Sequence, residues 1–169
     1  YLTKISNLIN SGFENITPII DNYRELDKLT ESIDSTFDIG IRIASEEEPK
    51  FEFYTSRLGI GYKDIIPYYS QKIAEHPNAR LKMLHFFINT GIKDTAYYWN
   101  ELYKCLRVYA RLKKIAPEVD CLNIGGGFPI KTSLNFDYDY QYMVNEILMQ
   151  IKKFCKEEGV DEPNIYTDS

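Results

Sequence analysis

The chain has 169 residues, of which 44% are hydrophobic and 27% charged, and its formal charge is -5. This length suits one domain with a sizeable core, and an aromatic content of 14% excludes a disordered chain. No apolar run approaches the roughly 20 residues of a membrane-spanning helix, and an acidic balance offers no basic face to a phosphate backbone, so neither a membrane nor a nucleic acid is expected as partner.

Cys105, Cys121 and Cys155 are odd in number, widely spaced and free of any C-x-x-C pair. They fit free thiols in a reducing cytoplasm better than a disulfide scaffold. Neither histidine has a second histidine or a cysteine at ligand spacing, so no metal site is expected. Tyr1 opens the chain without a methionine or a signal-like segment, and Asp168-Ser169 closes it directly after an apolar run. Both ends read as interior points of a larger protein.

In chain order, Leu2, Ile5, Leu8 and Ile9 recur at helical spacing, with Gly12 as the stop. Residues 16–20 are predicted as a strand whose Pro18 marks an edge or irregular start. Residues 22–33 are predicted helical, with Leu26, Leu29 and Ile33 on one face, and 37–44 form a cleaner strand followed by the acidic loop Glu46-Glu47-Glu48. A helix over 62–74 ends at His76-Pro77, and 81–88 is dense enough in apolar residues for a strand buried on both faces. Asp94 caps a long helix carrying Trp99, Leu102, Leu106 and Tyr109, which Pro117 ends. A strand over 119–124 runs into Gly125-Gly126-Gly127. Asp139 then caps a helix with Val144, Ile147, Leu148, Ile151 and Phe154 on one side, Gly159 closes it, and 163–167 is the last strand.

Strands alternating with helices imply a parallel α/β sheet built by right-handed crossovers. A doubly wound sheet and an incomplete (β/α)₈ barrel both fit, and in either one ligands collect beyond the C-terminal ends of the strands. Residues following Ile20, Ala44, Ile88, Ile124 and Thr167 are therefore the candidates for chemistry.

Among these, Gly125-Gly126-Gly127-Phe128-Pro129 stands out, because glycines let backbone N–H groups converge into an anion nest. The plainer reading is a strand-to-loop turn. The motif is neither a dinucleotide fingerprint nor a P-loop. Asn89-Thr90-Gly91 ends another strand, where the Thr90 hydroxyl and nearby amides are phosphate candidates. His85, inside that strand, is more often a satisfied core residue than a catalyst. Asp168 either faces a ligand or closes a turn, and Arg57 in Thr55-Ser56-Arg57-Leu58-Gly59 either pairs with a carboxylate or enters a helix. No nucleophile elbow is present.

Taken together, these motifs resemble the fold type III pyridoxal-phosphate decarboxylases, the group of ornithine, arginine and diaminopimelate decarboxylases and, more distantly, alanine racemase. Leu122-Asn123-Ile124-Gly125-Gly126-Gly127-Phe128-Pro129 is similar to the group's LDIGGGFP strand end, and Thr55 to Gly59 to its S-[KR]-F-G loop. Leu84 to Gly91 resembles LHFHxGS, Asp21 to Leu26 resembles [ED]-[NS]-x-x-E-L, and Asn164 to Asp168 resembles the strand ending in the glutamate of an EPGR-type motif. The order agrees along essentially the whole chain, and the stretch from Leu84 to Cys105 is most similar to bacterial biosynthetic arginine decarboxylases.

The resemblance implies residues 1–169 as part of an alanine-racemase-like barrel domain, about strands four to eight, with earlier barrel strands and a C-terminal β domain lying outside. It implies pyridoxal 5'-phosphate as cofactor, held at its phosphate by Gly125, Gly126, Gly127 and Thr90, with Phe87 at the ring-stacking position and Asp168 at the ring nitrogen. Phe87 stands where the group has histidine, and Asp168 is one methylene shorter than glutamate. The lysine that carries the cofactor belongs to a strand outside this chain, so no catalytic residue is assigned here. The implied activity is decarboxylation of a basic amino acid, L-arginine to agmatine and CO₂ first, in a homodimer or higher homo-oligomer. An ornithine- or diaminopimelate-type enzyme and a non-catalytic relative of the same fold are the alternatives.

Overall fold

Changes of hydrophobic period along the chain become changes of element. The computed structural model describes residues 1–44, 58–87, 95–126 and 139–168. They form α1 (Leu2–Asn10), β1 (Ile19–Ile20), α2 (Tyr23–Ser32), β2 (Phe37–Ile43), α3 (Ile65–Tyr68), β3 (Ala79–Phe86), α4 (Thr95–Ile115), β4 (Cys121–Asn123), α5 (Tyr140–Glu158) and β5 (Asn164–Tyr166).

All four strand pairings are parallel, and the spatial order is β1-β2-β3-β4-β5. A doubly wound sheet reverses its strand order at a switch point. This one never reverses, so the architecture is an open segment of a (β/α)₈ barrel. Ile39, Ile41, Ile43, Leu81, Leu84, Phe86 and Leu122 alternate along the strands and are buried in one core with Leu26 and Leu29 of α2, Leu102, Leu106 and Tyr109 of α4, and Ile147, Ile151 and Cys155 of α5. Residues on the opposite face line the concave side of the segment.

Several expectations need correction. The first strand has two residues, since Pro18 lacks the N–H a longer ladder requires. The helix expected over 62–74 begins at Ile65 and widens after Tyr68 into a π turn over Tyr69–Ile73, where the Ala74 N–H donates to Tyr69 O at 2.9 Å. Strand β3 is fully buried on the face of Leu81, Leu84 and Phe86, while on the other Met83 is buried but Arg80 is exposed and Lys82 and His85 are half-buried. In α5 the buried stripe is Met143, Ile147, Ile151 and Cys155, while Val144 and Leu148 face outward. The acidic loop at Glu46-Glu47-Glu48 and the Asp94 cap lie outside the described residues.

Candidate functional site

The site assembles where β1 to β5 end. In α2, Asn22 is the N-cap: its side chain accepts from the Arg24 N–H at 3.1 Å, and Glu25 accepts from the backbone N–H groups of Asp21 and Asn22. This reciprocal capping box fixes where β1 stops and where Asp21 stands. Just past β2, Gly59 N–H donates to Asp21 O at 2.9 Å and Ile60 N–H to Arg42 O at 2.8 Å, so residues 58–60 tie the ends of β1 and β2 together. Arg57 lies outside the described residues.

Arg42, His85 and Asn123 are register partners on neighbouring strands, and side chains in register share a face of the sheet. A polar row therefore crosses the concave face near its C-terminal rim. Arg42 Nη1 lies 3.6 Å from Asp21 Oδ1, and its guanidinium carbon sits 5.4 Å from the centre of the Phe87 ring, within cation–π range. From β5, Asp168 reaches back over β4: Asn123 Nδ2 donates to its Oδ1 at 3.0 Å, and its Oδ2 lies 3.6 Å from His85 Nε2.

Two buried polar atoms here, Asp21 Oδ1 beside the row and His85 Nε2 within it, have no hydrogen-bond partner among the described residues. His85 is thus not the satisfied core histidine that its apolar surroundings suggested. Its pKa is lowered, first by burial and also by the Arg42 charge, against the opposing pull of Asp168 and Asp21. The imidazole is neutral near pH 7.

The glycines have a structural role of their own. Gly125 has φ +69, and a Cβ there would lie 2.9 Å from Phe86 O; one on Gly126 would lie 2.9 Å from Asp168 O. Only glycine lets the end of β4 pass this close to the ends of β3 and β5 on either side. Gly125 N–H donates to Asn123 Oδ1 at 2.8 Å, and Gly125 O accepts from the Asp168 N–H at 2.9 Å. Gly125, Gly126, Phe87 and Asp168 therefore meet at one spot, whereas Thr90 and Gly127 lie outside the described residues.

Sequence reasoning missed Arg42. Its signal was available: Asp38, Gly40 and Arg42 alternate with the apolar Phe37, Ile39, Ile41 and Ile43, which puts Arg42 on the face away from the core near the strand's end. The three thiols are buried and free, and burial pushes Cys121 and Cys155 each up to about 11 and Cys105 further, so none is a nucleophile here. No described helix is long and apolar enough to cross a membrane.

The carboxylate of Asp168, the Phe87 ring and the glycine strand end thus gather at the C-terminal rim, the end where barrels of this kind carry their chemistry. The family model for the pyridoxal-dependent decarboxylases, pyridoxal binding domain, matches residues 3–169. The chain belongs to that family. It is 25% identical over 169 aligned positions to a biosynthetic arginine decarboxylase of Citrifermentans bemidjiense, covering 91% of this chain and 27% of that protein. The chain thus spans little more than a quarter of that relative's length. In fold it resembles the biosynthetic arginine decarboxylase of Campylobacter jejuni, with TM-score 0.73, 21% identity, and coverage of 99% of this chain and 29% of that one. It also resembles a diaminopimelate decarboxylase of M. jannaschii crystallised with L-lysine, with TM-score 0.77, 18% identity, and coverage of 99% and 40%.

The residues present fit pyridoxal phosphate in kind. A pyridinium nitrogen calls for a carboxylate, and Asp168 is half-exposed on the concave side, with 49% of its side chain accessible. The ring's π face calls for an apolar surface, which Phe87 provides with Arg42 against it.

Proposed function

We propose that the protein containing this chain is a pyridoxal-phosphate-dependent carboxy-lyase acting on a basic amino acid, with L-arginine, giving agmatine and CO₂, as the first substrate to test. This assigns it to polyamine biosynthesis. The observation that carries the reading is the placement of Asp168, held by Asn123 beside Phe87 and the Gly125-Gly126 strand end. Pyridoxal phosphate, when bound, supplies an electron-withdrawing ring that accepts the electron pair left behind as CO₂ departs.

The chain's own residues create the conditions for that chemistry. Asp168 holds a proton at the ring nitrogen, which keeps the ring electron-poor. Phe87 packs on the ring and limits water on that face. Asn123 fixes one carboxylate oxygen, so Asp168 does not rotate away. In this reading Gly126 is offered to the phosphate and the Gly125 N–H is engaged with Asn123, while Gly127 and Thr90 are assigned to it from the sequence motifs alone. No lysine of this chain is assigned to cofactor attachment.

Arginine decarboxylase names among the curated relatives favour arginine, and the name of a structural neighbour keeps diaminopimelate as the second candidate. A homo-oligomer and a cytoplasmic location belong to the same reading, the latter supported by three unpaired thiols. The test is CO₂ release by the full-length protein with cofactor, offered arginine, ornithine, lysine and diaminopimelate in turn. Release from arginine at the highest kcat/KM is expected. No release from any of the four, with cofactor still retained through dialysis, marks a non-catalytic relative instead.

A further inference from the structure

We infer that His85 is a positioning residue for the ring-nitrogen contact, acting through Asp168; this rests on the reading that the site takes pyridoxal phosphate. Three observations carry it. Among the described residues the Asp168 carboxylate is hydrogen-bonded by Asn123 at Oδ1, while its other oxygen lies 3.6 Å from His85 Nε2, just beyond hydrogen-bond length. That Nε2 is buried and has no hydrogen-bond partner among the described residues, an expensive state for a polar atom unless something completes it. Finally, His85 stands in register between Arg42 and Asn123, so β3 separates the strand of the guanidinium from the strand whose Asn123 holds the carboxylate.

The separation matters because Arg42 is the strongest cation of the row. Were it to pair with Asp168, the carboxylate would be spent on an arginine and not on a ligand. Asp21 instead holds Arg42 from the far side, and Phe87 lies against it. A neutral imidazole on the intervening strand passes no charge to Asp168 and offers Oδ2 a directional partner. A small shift of the aspartate toward the sheet closes the 3.6 Å gap and completes both atoms. A side chain one methylene shorter than glutamate has less freedom to find a ring nitrogen by itself, so its orientation must be set from behind.

The experiment uses the full-length protein and two probes, pyridoxal 5'-phosphate and its 1-deaza analogue, in which carbon replaces the ring nitrogen. Dissociation constants are read by fluorescence titration for wild type, His85→Gln and His85→Asn. Gln places an amide nitrogen near the Nε2 position and Asn near Nδ1, and both are polar enough to leave the strand folded. His85→Asn is expected to weaken the natural cofactor about 10-fold, the scale of one lost hydrogen bond to a charged group, and the deaza analogue by less than about 2-fold. His85→Gln is expected to stay near wild type for both. In an Asp168→Asn background, His85→Asn is expected to change neither constant further. Equal weakening of both probes by His85→Asn, or no weakening of either, overturns the positioning role. If wild type binds neither probe, the cofactor reading itself fails, a separate result.

Discussion

The two ends of the sheet treat charge in opposite ways. Toward the N-terminal ends of the strands, Arg80 meets Asp38 at 2.8 Å and Lys82 meets Asp120 at 2.6 Å, each cation seated on its own carboxylate. At the C-terminal rim, Arg42 and Asp21 stand 3.6 Å apart, His85 and Asp168 also 3.6 Å apart, and two buried polar atoms lack a hydrogen-bond partner among the described residues. Close pairing satisfies a fold. Loose pairing around buried polar atoms leaves capacity for a ligand, and barrels of this class place stability at one end and chemistry at the other.

Substitutions at the rim should therefore damage function out of proportion to stability, except where the backbone itself is threatened. Gly125→Ala is expected to have the largest effect, because it combines a positive φ with a Cβ 2.9 Å from Phe86 O. A loss of about 2–3 kcal/mol in stability is expected, visible in chemical denaturation of the full-length protein, together with weakened cofactor binding. Asp168→Asn should leave the fold intact and cut CO₂ release about 10- to 100-fold, the scale of a lost charge-assisted hydrogen bond. An unchanged rate in that variant would separate Asp168 from the reaction.

His85 sharpens the contrast through pH. Its folded pKa is lowered, so the unfolded chain takes up the proton first as pH falls from about 6.5. Stability attributable to His85 is complete above that pH and declines below it. Comparing thermal melts of wild type and His85→Gln at several pH values checks this, since the acid-side decline should be shallower in the variant. At the opposite end, Lys82→Met breaks a pair whose members are each about one-third exposed. The expected cost is below about 1 kcal/mol, with unchanged cofactor affinity.

Much of the fold could be read from the chain because its signals are local. Asn22 and Asp139 cap helices where side-chain oxygens meet free N–H groups, and Gly159 ends α5 in the left-handed conformation. Other features depended on neighbours. The π turn after Tyr68 has no period distinct from a helix until its hydrogen bonds are seen. Val144 and Leu148 share apolar character with Ile147 and Ile151, yet only packing decides which of them turn inward. Periodicity alone left barrel and doubly wound sheet open; motif resemblance implied the barrel, and strand order, a long-range fact, shows it.

For the candidate site, motif resemblance pointed to Asp168, the glycine strand end and Phe87, and the structure brings Phe87, Gly125, Gly126 and Asp168 together. It did not point to Arg42, and His85 read as a core histidine, because the meaning of both comes from register across three strands. In Ile41-Arg42-Ile43 and Leu84-His85-Phe86 the polar residue looks like an exception to an apolar run. Only the pairing of Arg42 with His85 and of His85 with Asn123 turns these exceptions into one row.

The most direct test is nitrogen-15 NMR of the full-length protein loaded with pyridoxal phosphate labelled at the ring nitrogen. A protonated pyridine resonance in wild type that moves to the unprotonated range in Asp168→Asn is the predicted result. A ring nitrogen already unprotonated in wild type, or one indifferent to Asp168→Asn, would contradict the placement of the cofactor on this rim.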